Sequence, residues 1–182
     1  ENPAARRKRL AIEWGVTDHD MASVVNAGAL DLVEETIAIS GDQASARKWW
    51  TGELSRIAKD QGLDLADLAI TPAQVAELES LVVAGTVNDK LARQVIEGVL
   101  AGEGSPTEVV AGRGLAVVSD DGPLLEAIDA ALAAQPDVAE KIRGGKVQAA
   151  GAIVGAVMKA TRGQADAARV RELIFERLDT KP

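Results

Sequence analysis

The sequence predicts an all-α protein, and three observations carry that prediction. Helix-start signatures recur along the chain, aromatic residues make up only 2% while hydrophobic residues reach 47%, and no alternating strand pattern is sustained anywhere. A core rich in alanine, valine and leucine but poor in rings suits closely packed helices better than a β-sandwich. The 182 residues are enough for one domain or two small ones.

Taken in order, Asn2-Pro3 caps a first helix, which carries the basic run from Arg6 to Arg9 and the apolar Leu10, Ile12 and Trp14 before Gly15 stops it. Thr17 with Asp20 has the form of a capping box, as do Thr71 with Gln74 and Ser105 with Glu108. Asp42 opens one long helix with Trp49, Trp50, Leu54 and Ile57, ended by Gly62. Asn88 caps a helix with Leu91, Val95, Ile96, Val99 and Leu100, and a short helix follows over 106–112. The loop-rich stretch GRGLAVVSDDG marks a joint, so a helical bundle domain is expected over 1–116 and a smaller helical tail domain over 117–182. The tail pattern gives helices at 122–134, 136–143, 146–162 and 167–178. LAVVS has the look of an extended segment, but one isolated strand makes no sheet.

Composition narrows the chemistry. There is no cysteine, which excludes disulfides and thiolate metal sites and fits a reducing compartment. No apolar run approaches the ~20 residues a membrane span needs. The net charge of −8 argues against indiscriminate nucleic-acid binding. Its distribution is uneven: residues 10–46 hold seven acids and no base, whereas 141–163 hold five bases (Lys141, Arg143, Lys146, Lys159, Arg162) and no acid. Two ordinary solvated faces would also produce this.

Catalytic signals are absent. His19 is the only histidine, sits in the first turn of a helix, and reads as a solvated residue rather than a base. Gly144-Gly145-Lys146 is followed by valine, so it is no phosphate loop. The pairs Glu34-Glu35 and Asp120-Asp121 point in different directions on a helix and make poor metal sites. Trp49-Trp50 reads as one buried ring and one ring at a helix joint rather than a stacking platform.

One helix stands out. GAIVGAVMKATRGQAD places Gly151 and Gly155 four residues apart, each at a cost of ~1 kcal/mol relative to alanine. Projected at 100° per residue, Val147, Ala150, Val154, Val157, Met158 and Thr161 form a core stripe. Gln148, Ala152, Gly155, Lys159 and Arg162 cluster on another side, with Gly151 between the two. Small residues let something approach the backbone, and the cations make an anion the natural visitor; a sugar–phosphate backbone meets both conditions. With Phe175 the only ring in the tail, recognition would follow the shape of a folded RNA rather than base stacking. The residues leave another reading open. Lys159 and Arg162 also complement the helix dipole, Gly163 also serves as a cap, and Gly151 and Gly155 also suit a helix–helix contact in a protein–protein interaction module.

The stretch GKVQAAGAIVGAVMKATRGQAD resembles the C-terminal signature of GatB, the B subunit of the tRNA-dependent amidotransferase, whose tail domain also occurs as a small free-standing protein of the YqeY type. PAARRKRL, KWWTGEL, LARQVIEGVL and GLAVVSDDGPL agree with it in order, so the resemblance covers essentially the whole chain. Two departures are Val87-Asn88-Asp89, where the family usually has serine and glycine before the lysine, and Trp49-Trp50-Thr51, which replaces a more common Asn-Trp.

The resemblance implies a helical domain plus tail cut from a longer cytoplasmic protein. It implies that misacylated Glu-tRNA(Gln), and in many bacteria Asp-tRNA(Asn), is converted to the amidated species. ATP and magnesium would serve an N-terminal cradle domain outside this chain, leaving no cofactor and no catalytic residue here. The implied partners are tRNA, held at its elbow, an amidase subunit that supplies ammonia, and a small third subunit; no membrane is implied. By position, tRNA contact is expected at Lys146, Gly151, Gly155, Lys159, Arg162 and Gly163.

Overall fold

In the computed structural model, residues 1–181 are described, and every regular element assigned among them is a helix. The first unit comprises Glu1–Ala84 and Ala92–Gly114. Its helices are α1 (Pro3–Glu13), α2 (Asp18–Asn26), α3 (Leu30–Ser40), α4 (Gln43–Lys48), α5 (Ser55–Gln61), α6 (Pro72–Val83), most of α7 (Asp89–Leu100) and α8 (Pro106–Arg113). The signals read from sequence operate as chemistry here. The Asn2 side chain accepts from the Ala4 N–H at 2.8 Å, and full capping boxes form at Thr17–Asp20, Thr71–Gln74 and Ser105–Glu108. Asn88 Oδ1 accepts from the Leu91 N–H at 2.9 Å. Each such bond satisfies an amide the helix itself leaves open.

Two features depart from expectation. The helix opened by Asp42 is not uniform: α4 passes into a π-helical stretch, Trp49–Leu54, before α5 resumes. The wider turn sets both tryptophans inward, so both rings are buried rather than one. Trp50 Nε1 donates to Thr36 Oγ1 at 2.8 Å, and the Lys48 amine lies 4.9 Å from the centre of the Trp49 ring. The other feature is α3, which packs on α6 in the middle of this unit and has no side-chain cap at its N-terminus, where Ala29 stands.

The second unit comprises Gly85–Leu91 together with residues from Leu115 onward. It holds α9 (Asp121–Ala134), α10 (Pro136–Arg143), α11 (Ala150–Ala160) and α12 (Ala167–Arg177). Its core is built from Leu124, Ile128, Ile142, Ile153, Val157, Val170, Leu173 and Ile174, all buried. The short segment 85–91, which the sequence assigns to the bundle, is tied to this unit: the Val117 N–H donates to the Thr86 carbonyl at 2.7 Å. The extended segment around LAVVS makes one isolated parallel bridge, Val118 to Ala165, and no strand is assigned among the described residues.

Candidate nucleic-acid interface

The third tail helix is shorter than 146–162. A 3-10 turn, Val147–Ala149, precedes α11, and Lys146 lies outside any helix. At the other end Thr161 is the C-cap, and Arg162 takes a left-handed backbone with φ of 54°. The core stripe also shifts. Ala150, Ile153 and Val157 are fully buried, while Val147, Val154 and Met158 are only half-buried. Ile153, absent from the expected stripe, belongs to the core because α11 is turned about its axis relative to that projection.

That rotation leaves one face outward. Gly151, Gly155 and Lys159 sit at i, i+4 and i+8, a row along the helix surface, with Ala152 beside them, and all four are exposed. A Cβ built on Gly151 or on Gly155 would meet nothing within 4 Å. Neither glycine is therefore demanded by packing among the described residues. Lys146, before the 3-10 turn that precedes α11, and Arg162, just past its C-cap, are both exposed.

Gly163 is different from the other five expected contacts. It is buried, with φ of 78°, and the Lys90 side chain lies against it. Its N–H closes the end of α11 on the Met158 carbonyl at 2.8 Å, and its own carbonyl accepts from Asn88 Nδ2 at 3.4 Å. It is a turn glycine, with no accessible face to offer an RNA, and the accessible set reduces to Lys146, Gly151, Gly155, Lys159 and Arg162.

The charges of the second unit divide into two groups. Between and along α9 and α12, Arg169 pairs with Asp121 at 2.6 Å and with Glu172 at 2.9 Å, and Arg177 pairs with Asp129 at 2.6 Å, while Arg171 lies over the Phe175 ring. The Arg169 guanidinium, by hydrogen bonding, holds the Asp121 carboxyl below the usual carboxylate range. By contrast Lys141, Arg143, Lys146, Lys159 and Arg162 enter no ion pair among the described residues. An open cationic row with bare backbone between its charges can accept an extended anion without first breaking an internal pair.

The other candidates are accounted for internally. Asp120 caps α9 through the Gly122 N–H at 3.2 Å, and Glu34 pairs with Arg6. His19 is exposed on the first turn of α2. Among the described residues no three His, Asp or Glu side chains gather as a metal site would require, and no helix is long and apolar enough to cross a membrane.

The sequence places this helix and its flanks in a known group of proteins. The profile described as the GatB domain matches residues 31–178. The chain belongs to the GatB domain family. It is 68% identical over 178 residues to the aspartyl/glutamyl-tRNA(Asn/Gln) amidotransferase B subunit of Streptomyces avermitilis, covering 98% of this chain and 35% of that protein. The corresponding B subunits of Arthrobacter sp. (strain FB24) and Paenarthrobacter aurescens are 64% and 65% identical, each over 98% of this chain and 36% of theirs. The chain thus spans about a third of the length of the curated relatives it matches. The GatB domain match takes in α11 together with the charge pairs of α9 and α12, so the open row and those pairs lie within one matched segment.

Proposed function

We propose that this chain is the RNA-holding part of a GatB protein, the B subunit of a tRNA-dependent amidotransferase. In this reading the exposed row of α11 lies against the sugar–phosphate backbone at the elbow of a misacylated Glu-tRNA(Gln) or Asp-tRNA(Asn). The ATP- and magnesium-dependent amidation then proceeds elsewhere, on the N-terminal part of GatB with an amidase subunit and a small third subunit, in the cytoplasm. The chain itself contributes affinity and position, which raise the rate of a distant step without supplying a reactive group.

The observation that supports this is the conjunction at α11. Two helical glycines with empty space above them, each unfavourable by ~1 kcal/mol, share a face with Lys159 and are followed and preceded along the chain by Arg162 and Lys146, none of which enters an ion pair among the described residues. A phosphate backbone uses both, since bare helix permits close approach and Lys146, Lys159 and Arg162 supply charge along it. Contact of this kind fixes register and orientation and carries no base information. It therefore suits an arm that grips the common shape of several tRNAs.

The test is charge reversal at Lys159 and Arg162. The double variant should bind tRNA more weakly, and the dependence of log affinity on log salt should flatten by roughly 1.5, from ~0.7–0.9 per lost phosphate contact. Unchanged affinity in a variant that keeps its helical content would remove the proposal. If Gly155→Leu instead breaks a complex with the amidase subunit and leaves tRNA affinity intact, the row is a protein-docking face.

A further inference from the structure

The turn that ends α11 is assembled from distant parts of the chain. Gln164 receives the Val118 N–H on its carbonyl, Asn88 Nδ2 donates to the Gly163 carbonyl at 3.4 Å, and the Lys90 side chain lies across Gly163. A Cβ built on Gly163 would stand 3.0 Å from Lys90 Nζ and 3.3 Å from its Cδ and Cε. Glycine at 163 thus makes room for the lysine stem, and the stem buries the glycine. The amine ends at Gly163, next along the chain from the exposed Arg162, which itself follows Lys159 by less than one helical turn.

Lys90 is exposed and has no ion pair among the described residues. Arg162 takes its left-handed conformation as a non-glycine, where glycine is the default. A guanidinium held on a fixed turn at that conformational disadvantage calls for a use. The local charge sum is positive: Lys90, Lys159 and Arg162 outweigh the adjacent Asp89 and roughly half a negative charge at the helix C-terminus. The nearby Asp166 carboxylate is engaged with the Ala168 and Arg169 amides of α12.

We propose that Lys90, Lys159 and Arg162 form a single phosphate-binding cluster at the C-terminal end of α11, with Lys90 as an RNA-contacting residue supplied by the 85–91 segment. The proposal rests on the reading of α11 as an RNA contact and adds to it a residue from a segment whose sequence position assigns it to the bundle. The cluster concentrates charge at one end of the row, so successive phosphates there each meet a cation while the glycines accommodate the backbone that follows.

The experiment compares Lys90→Gln and Lys90→Arg with the Lys159→Glu/Arg162→Glu pair in the 182-residue chain, measuring affinity for tRNA across a salt series together with melting temperature. Glutamine keeps most of the stem over Gly163 and removes the charge. The expected result for Lys90→Gln is an affinity several-fold lower at low salt, a salt slope reduced by ~0.7–0.9, an unchanged Tm, and recovery in Lys90→Arg. If Lys90→Gln keeps the parent slope while the Lys159/Arg162 pair loses it, the cluster is wrong and the α11 contact stands. Lower affinity at an unchanged slope assigns Lys90 to packing alone and likewise overturns the cluster. If neither set changes the slope, the RNA reading itself fails.

Discussion

At the scale of single residues, helical glycines in this protein do two different jobs, and substitution separates them. Gly98 in α7 is a packing glycine, because a Cβ there would stand 2.4 Å from Val109 Cγ1 and 3.0 Å from Glu103 Oε2. Gly98→Ala should destabilise the fold by about 1–3 kcal/mol in urea unfolding, since the bundle must shift to admit one methyl. Gly155→Ala should do the opposite, stabilising by roughly 0.4–1 kcal/mol, because the site is helical and open. The same substitution should weaken tRNA binding, so stability and function move in opposite directions at one atom. Glu79 offers a different residue-scale test. It is 2% exposed on α6, and neither carboxylate oxygen has a hydrogen-bond partner of good geometry among the described residues. Burial, opposed by the nearby Ser40 hydroxyl and assisted by the charge of Asp42, pushes its pKa up to about 7. The folded protein therefore holds this proton more tightly than the unfolded chain does. Its contribution to stability is complete below the ordinary carboxylate value near 4.5 and is lost as the pH rises through about 7. The loss runs at up to about 1.4 kcal/mol per pH unit. Glu79→Gln should thus be more stable than the parent at pH 8 and nearly equal to it at pH 4, checked by denaturant unfolding at both pH values. A gap that does not vary with pH would contradict this.

At the scale of elements, legibility in the sequence tracks whether a helix end is marked by a side chain. The helices opened by Asn2, Thr17, Asp42, Thr71, Asn88 and Ser105 begin where the sequence says, because each cap satisfies an amide by a short local bond. Nothing marks α3: Ala29 precedes it without a capping bond, and α3 is held by packing on α6, which leaves no local trace. The π-helical stretch is equally hidden. Its cause is tertiary, since it lets Trp49 and Trp50 both turn inward and brings the Trp50 indole to Thr36. Replacing Thr36 with valine keeps the shape and strands that buried N–H, so a loss of about 1–3 kcal/mol is expected in thermal unfolding. A neutral result would mean that the indole finds another acceptor. In the tail, the row of Gly151, Gly155 and Lys159 is legible because it depends only on helical spacing. The 3-10 start of α11 and the burial of Gly163 are not, because the first depends on the preceding turn and the second on Lys90, far away along the chain.

At the scale of the whole molecule, a net charge of −8 conceals a division between paired and unpaired charge. In the first unit Arg6 and Arg9 meet Asp31, Glu34, Glu1 and Glu13, so part of the acidic excess of 10–46 is neutralised within that unit. In the second unit the pairs among the described residues use Arg169 and Arg177 of α12 and omit the cations in and around α11. Composition gives the sum and hides which charges remain available, so the basic strip is visible in the sequence while its open state is not. A boundary near residue 116 likewise follows from loop composition, which does not register that 85–91 is hydrogen-bonded to a distant turn. The most direct measurement of the central claim follows the glycine amide signals of the chain by NMR as tRNA is added. Exposed helical glycines at 52, 112, 151 and 155 all have open space above them, but only the last two lie in the cationic row. Salt-sensitive shifts at Gly151 and Gly155, with Gly52 and Gly112 unmoved, are the expected result. Bound tRNA that leaves the amides of Gly151 and Gly155 unchanged would show that α11 is not where the RNA lies.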